Sequence, residues 1–137
     1  MYVFSNISLL LTLSDHGLIK DGMSPIYVTE MAMESKCYDY FIQNKLRKLV
    51  EDGKVRIFSL QEDFFKFAVK ESIIHNRIDL MSFACIYFAK KENFFLVTTN
   101  KSIMKCAEQN GVLHPPIKEI LTNILKEERY VELILKE

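Results

Sequence analysis

Oxygen-bearing side chains stand where predicted strands end or where neighbouring helices begin. Asn6 follows the first apolar run of the chain, and Asn100 follows a late one. Glu30 or Glu34 follows the second run, and Asp79 opens a helix. Sites in open parallel sheets form beyond the carboxyl ends of the strands, so these residues could meet at one edge of a sheet. Because amide and carboxylate oxygens are the ligands that Mg²⁺ and Mn²⁺ prefer, we predict a divalent-metal site there.

The elements that would position these residues alternate along the chain. Short apolar runs predict strands at 2–4, 25–28, 55–58 and 94–98, with a last short strand at 112–113. Helical periodicity predicts helices at 8–17, 31–37, 38–51, 60–75, 77–88, 101–110, 117–127 and 129–137. Strands separated by helices indicate an α/β domain with a four- or five-stranded, mainly parallel sheet flanked by helices on both faces. We expect residues 1–137 to form a single domain.

The composition indicates a packed core and excludes a strongly basic nucleic-acid-binding surface. Hydrophobic residues make up 49% of the 137 residues, while Gly and Pro number only four and three. These values disfavour a disordered chain and a β-sandwich with many turns. The 18 basic and 18 acidic residues cancel, and the isoelectric point is about 6.8. A local basic rim is still compatible with RNA binding.

The sequence predicts a soluble cytoplasmic protein. Residues 1–13 are apolar, but they lack a basic region and a small-residue cleavage site, which argues against a signal peptide. No apolar stretch approaches the ~20 residues that cross a bilayer. Cys37, Cys85 and Cys106 show no paired-ligand spacing and are odd in number, so we expect reduced thiols.

Three segments, taken in order, resemble motifs of PIN-like nuclease domains. Residues 3–10, Val-Phe-Ser-Asn-Ile-Ser-Leu-Leu, are similar to the Val-Ser-(Asp or Asn)-x-Ser-Pro-Leu pattern of one branch. Asn6 takes the acidic position there, and a leucine replaces the proline. Residues 26–34 resemble the second family element, in which a strand leads into a helix with an inward Glu, and Glu34 is the better-spaced candidate. Residues 77–84 resemble the helix start that presents the third acid, here Asp79.

The most specific resemblance lies at residues 95–112. It is similar to the family's block of a strand, Thr-x-Asp, a helix and Ala-Glu-x-x-Gly-Val. Asn100 occupies the acidic place, and Thr99 replaces an acid that is common in the same branch. The four blocks follow one another in the family's order, and the resemblance extends over nearly the whole chain.

The resemblance implies a three-layer α/β/α fold and a ribonuclease that depends on Mg²⁺ or Mn²⁺. The implied metal ligands are Asn6, Glu34, Asp79 and Asn100, with Glu34 and Asp79 as the catalytic anions. An Asn carbonyl can coordinate Mg²⁺ but cannot offset its charge, so we expect weak metal binding and impaired hydrolysis. The resemblance also implies an RNA substrate and is compatible with an antitoxin-like partner or a homodimer. Two functions stay open: a ribonuclease-related protein, such as the toxin half of a toxin–antitoxin pair, and an inactive module that binds protein or RNA.

Each of these four residues also has a structural interpretation without chemistry. Asn6 and Asn100 are both suited to cap the helix that follows them. Asp79 is suited to interact with a helix dipole, and Glu34 could be a solvated surface carboxylate. A receiver-like domain also fits the alternation of strands and helices, but the first strand is followed by Ser-Asn rather than by the acidic pair it requires.

Other polar and aromatic residues carry weaker signals. Lys101 and Lys105 lie beside the predicted site and could contact phosphates, although a solvated helical face is the simpler interpretation. The three histidines, at 16, 75 and 114, show no ligand spacing and are expected at the surface. If the phenylalanines at 64, 65 and 67 cannot all be buried, the surplus would indicate a partner surface.

Overall fold

The structure, a computed structural model, describes residues 1–17, 19, 25–34 and 39–125. Side chains are described throughout this part except at 34, 121 and 123–125. The elements in chain order are β1 (Tyr2–Phe4), α1 (Ile7–Asp15), β2 (Ile26–Thr29), α2 (Glu30–Glu34), α3 (Tyr40–Glu51), β3 (Arg56–Phe58), α4 (Asp63–Ile74), α5 (Leu80–Glu92), β4 (Phe95–Val97), α6 (Lys101–Gln109) and α7 (Ile117–Leu125).

The strands form one parallel sheet in the order β3-β2-β1-β4. The two central strands are short and almost completely buried, as expected for a parallel sheet covered on both faces. Successive residues alternate between the faces, so neighbouring residues of β1 enter different cores. Phe4 belongs to one buried cluster and Val3 to the other.

Helices cover both faces of the sheet. On the first face, buried residues of α1, α2, α3 and α7 pack around Phe4 and Val28 of the sheet. On the second face, buried residues of α4, α5 and α6 pack around Val3 and Leu96. α5 is buried on most of its circumference because it lies between the sheet and its neighbours, which explains why its sequence is apolar nearly all round. The predicted three-layer α/β/α architecture is confirmed.

The predicted last strand at 112–113 was wrong. The described sheet has four strands, and the chain beyond α6 contributes one backbone hydrogen bond, from Leu96 N to Leu113 O at 2.9 Å. Leu113 itself is 63% exposed, so it has no sheet face to pack on. A single bond without side-chain burial does not extend the ladder into a fifth strand.

Some predicted helical residues lie outside the described part, namely 35–37 after α2, residue 38 at the start of the helix predicted at 38–51, 126–127 after α7 and the C-terminal helix at 129–137. Cys37 is among them. Within the described residues, no helix combines the length and apolar character needed to span a membrane.

Candidate functional site at the carboxyl ends of two central strands

A polar pocket opens between the carboxyl ends of β1 and β4. The chain leaves β1 towards β2 on one side, whereas β4 lies on the other side and is reached from β3. Open α/β sheets bind ligands at such a switch in strand order. The cavity measures about 200 Å³ and is lined by Ser5, Asn6, Ile7, Ser8, Thr98, Thr99, Asn100 and Ile103. The two segments that form it are more than 90 residues apart in sequence.

Asn6 links the two halves of the pocket. Its Oδ1 accepts a hydrogen bond from Leu9 N at 3.1 Å, so it caps the N-terminus of α1. Its Nδ2 donates to Thr99 Oγ1 at 3.0 Å, across the gap between β1 and β4. Both backbone N and Oγ of Ser5 donate to Val97 O at 3.2 Å, which holds the strand ends together.

Asn100 caps the second helix of the pocket. Its Oδ1 accepts from Ser102 N at 2.9 Å and from Ile103 N at 3.1 Å, and α6 begins at the next residue. Its own backbone N–H donates to Thr98 Oγ1 at 3.2 Å. The cap roles predicted for Asn6 and Asn100 are therefore confirmed, and each amide oxygen already accepts helix N–H groups.

The pocket has a positive electrostatic character. The N-termini of α1 and α6 meet there, and each carries a partial positive charge of roughly half a unit. Neither helix has an acidic residue in its first turn, and both caps are neutral amides. The described residues that line the cavity include no charged side chain. These two helix termini therefore favour an anion in the pocket.

Asp79 is a carboxylate that caps α5. Its Oδ1 accepts from Ser82 N at 2.8 Å, and it is not among the residues that line the cavity. The negative charge of Asp79 nevertheless acts on a buried group beneath β1. Burial and, secondarily, the charge of Asp79 raise the pKa of the Cys85 thiol to about 12. That thiol contacts the carbonyl oxygen of Phe4, the last residue of β1, at 3.8 Å.

The two acids that follow β2 have different positions. Glu34 is the last residue of α2, and its side chain lies outside the described part. Glu30 is exposed, and its Oε2 accepts from Ser59 Oγ at 3.2 Å. Because Ser59 follows β3, Glu30 is turned towards the β3 edge of the sheet and away from the pocket beside β4.

The two lysines near the pocket are exposed on α6. Lys101 is the first residue of that helix and follows Asn100 directly, and Lys105 lies one turn further along. Neither lines the cavity. Both are accessible to a ligand that extends beyond it.

A second group of polar side chains was missed by the sequence analysis. Glu71 and His75 of the α4 region and Cys106 of α6 place one potential ligand atom each within 4.8 Å of one another. The prediction that His75 lies at the surface was wrong, because its side chain is only 10% exposed. The four-residue spacing of Glu71 and His75 was a usable signal, since it puts both on one helical face. Cys106 lies 31 residues beyond His75 in the chain, and its spacing gave no such signal.

An apolar stripe of α4 is open to solvent. Phe65, Val69 and Ile73 recur every four residues and are 64%, 63% and 79% exposed. Phe64 is fully buried, so the phenylalanines of this helix cannot all enter the core. The surplus expected from the sequence is therefore present, on a contiguous face of the kind that marks interaction sites.

Comparisons with known proteins identify a solved structure of similar fold. No protein-family model matches the chain, and no curated protein matches it. A search of solved structures finds a PilT N-terminus (PIN) domain protein from the hyperthermophilic archaeon Sulfolobus solfataricus. The TM-score is 0.52 at 16% sequence identity, and the match covers 93% of this chain and 96% of the other.

The chain has a PIN-like fold. The match spans almost the full length of both proteins, so it includes the sheet and the two helical layers together. The fold that the sequence motifs implied is thereby confirmed. At 16% identity the similarity extends to the fold alone. The chemistry of the pocket has to be argued from this chain's own residues.

Proposed function

We propose that the protein is a PIN-like, ribonuclease-related domain that binds RNA at the pocket between β1 and β4 and cleaves it weakly. One observation supports this most strongly. Asn6 and Asn100, which the motifs align with acidic positions of nucleases, line the same cavity at the switch in strand order of a PIN-like fold. The pairing of β1 with β4 brings these two residues, 94 positions apart in sequence, to one cavity.

The proposed ligands of Mg²⁺ or Mn²⁺ are Asn6, Glu34, Asp79 and Asn100. Their donors are all oxygen atoms, the type that these hard ions prefer. Such an ion activates water and stabilises charge on the phosphate. The two asparagine oxygens bring no charge and already accept helix N–H groups. Glu34 and Asp79 must therefore supply the negative charge, which accounts for the weak activity we expect.

RNA would be held by its backbone. The N-termini of α1 and α6 favour an anion in the pocket, as described above. Lys101 and Lys105 are exposed on the same helix and would contact neighbouring phosphates. Contacts of this kind position a nucleic acid without reading its sequence. Low sequence selectivity is accordingly part of the proposal.

Asp79→Asn is expected to reduce metal-dependent RNA cleavage at least about tenfold, which corresponds to ~1.4 kcal/mol in the barrier. The substitution removes the charge but keeps an oxygen that can cap α5, so the fold should persist. Asp39→Asn is a matched control, because Asp39 caps α3 through Ile42 N at 2.9 Å. Cleavage of a labelled RNA is measured with Mg²⁺, with Mn²⁺ and with EDTA.

Two outcomes would contradict the assignment. Equal cleavage by wild type and Asp79→Asn would remove Asp79 from the catalytic set. Absence of metal-dependent cleavage in the wild type would leave an inactive module that binds protein or RNA. Retained RNA binding in that case would show that the pocket holds the backbone without hydrolysing it.

The exposed stripe of α4 favours that second function, a PIN-like module that works by binding protein. We propose a second copy of this chain as the first partner to test. A straight apolar stripe on one helix is self-complementary when two copies pack about a two-fold axis. An antitoxin-like protein, as in a toxin–antitoxin pair, is the competing occupant.

Ile73→Lys is expected to shift a dimer to monomer. It places a charge within the exposed stripe and should change the free energy of unfolding by no more than about 0.5 kcal/mol, because Ile73 is 79% exposed. Leu113→Lys, at a similarly exposed leucine outside the stripe, is the control. Sedimentation velocity over a range of concentrations measures the association. A monomeric wild type throughout would rule out the homodimer and direct the search to an antitoxin-like partner.

A further inference from the structure

The geometry points to a transition-metal site between α4 and α6, formed by Glu71, His75 and Cys106, which we propose binds Zn²⁺ or a cation of similar preference. This site is separate from the pocket. Cys106 follows Asn100 by six residues, and six residues correspond to about 9 Å along an α-helix. The inference does not depend on the proposed nuclease function.

The separations of the three ligand atoms suit a small tetrahedral ion. Cys106 Sγ lies 3.7 Å from Glu71 Oε2, and His75 Nε2 lies 3.9 Å from the same oxygen. All three ligand atoms fall within 4.8 Å of one another. Tetrahedral zinc with ordinary bond lengths places such ligands roughly 3.4–3.6 Å apart. Side-chain movements of well under 1 Å would bring the Cys106–Glu71 and His75–Glu71 distances to these values.

The burial of its ligands favours a bound cation at this site. Glu71 is 6% exposed and Cys106 is fully buried. Among the described residues, Glu71 Oε2 contacts the Cys106 thiol, which is a weak donor, and lies 3.9 Å from His75 Nε2. A buried carboxylate is costly unless it is well paired, and a divalent ion would pair it. The combination of sulfur, nitrogen and oxygen favours zinc over Mg²⁺, which prefers oxygen alone.

Neighbouring side chains complete the surroundings of the ion. Gln109 Oε1 forms a hydrogen bond with His75 Nε2 at 2.8 Å, and a metal ion bound to Nε2 would displace this bond. Asn110 Nδ2 lies 3.7 Å from Cys106 Sγ, where it would donate to a thiolate. Burial, followed by Glu71, raises the pKa of Cys106 to about 11. The thiol is therefore protonated at neutral pH without an ion, and binding would release its proton.

Cobalt provides a direct test, because a Co²⁺–thiolate bond gives a charge-transfer absorption that oxygen and nitrogen ligands do not. The reduced protein is treated with EDTA, freed of chelator and titrated with CoCl₂. We expect one equivalent of Co²⁺ with charge-transfer and tetrahedral bands, displaced by Zn²⁺ but not by Mg²⁺. Zn²⁺ should also raise the unfolding temperature, because the folded state holds the three ligands together and binds the ion more tightly than the unfolded chain.

Matched variants assign the ligands. Cys106→Ser should abolish the charge-transfer band, whereas Cys85→Ser and Cys37→Ser should keep it. Glu71→Gln and His75→Asn should weaken Co²⁺ binding at least about tenfold, comparable to losses seen when metal-site partners are removed. His114→Asn is the control, because His114 pairs with Glu108 at 2.8 Å and lies outside the cluster of Glu71, His75 and Cys106. Circular dichroism verifies that each variant is folded.

Three results would overturn the proposal. They are the lack of a charge-transfer band in the wild type, a band that survives Cys106→Ser, and equal binding by His75→Asn and His114→Asn. If Cys106→Ser does not fold, Glu71→Gln decides the question, because it keeps the size of the side chain. A wild type that binds no ion would mean that the three residues form only a hydrogen-bonded cluster.

Discussion

Asn6→Asp combined with Asn100→Asp is expected to raise Mg²⁺- or Mn²⁺-dependent RNA cleavage about 100-fold, roughly tenfold for each restored carboxylate. Each substitution replaces a neutral oxygen ligand of the proposed metal site with a charged one of the same shape. Both positions line the pocket, so both charges would act on the same ion. The increase in cleavage would come from the added negative charge, because the shape of each side chain is unchanged. A neutral amide cannot supply that charge.

The substituted pocket should keep its structure. Asp caps helices about as well as Asn, so the N-termini of α1 and α6 remain capped. The Nδ2 donor of Asn6 is lost, but the Thr99 hydroxyl that accepts from it can donate instead to a carboxylate. Carboxylates at helix N-termini also interact favourably with the helix dipoles. Far-ultraviolet circular dichroism checks that the fold is retained.

Controls separate a specific effect from added negative charge. Asn76→Asp combined with Asn93→Asp adds the same two charges at exposed positions outside the pocket. Asn93 has a left-handed backbone, φ 60°, which Asp tolerates. This control should not increase cleavage. If the pocket variant also cleaves no faster, its two asparagines do not occupy the positions of metal ligands, and the binding module becomes the better assignment.

Phe64→Ala is expected to lower the free energy of unfolding by about 3–5 kcal/mol, the range for truncating a buried aromatic residue. Phe64 is fully buried and packs against Tyr87 of α5, with ring centroids 5.4 Å apart. The loss comes from apolar transfer and from the cavity left between α4 and α5. Because small domains are stable by only about 5–15 kcal/mol, it would be a large fraction of the total.

Phe65→Ala is the natural control for this prediction. Phe65 is the next residue of the same helix but is 64% exposed, so its loss should cost no more than about 0.5 kcal/mol beyond helix propensity. Urea unfolding followed by circular dichroism measures both. Similar losses in the two variants would mean that the face of α4 that packs on α5 has been assigned wrongly.

Much of the fold followed from local sequence. The apolar run at 94–98 predicted β4, and the alternation of strands and helices predicted a parallel sheet. Residue type and position also made Asn6 and Asn100 candidates for helix caps, which the structure confirms. These features depend on neighbours within a few residues. The strand predicted at 112–113 was wrong because two apolar residues do not show whether a sheet has a free edge for them.

The candidate site was only partly predictable. Motif order indicated that Asn6 and Asn100 belong together, and the structure places both on one pocket. The hydrogen bond from Asn6 to Thr99 and the use of both amide oxygens by helix N–H groups depend on side-chain orientation. The turn of Glu30 towards Ser59 was likewise not readable from the motif. Orientation is set by packing of elements that are far apart in sequence.

The sequence by itself determined the alternation of strands and helices, the capping asparagines and the order of PIN-like blocks. Only the tertiary structure decided that Phe64 is buried and Phe65 exposed, and that Cys106 joins Glu71 and His75. The physical reason is the range of the forces involved. Capping and helical periodicity act between residues close in the chain, whereas burial and ligand clusters arise when separate helices pack on one sheet.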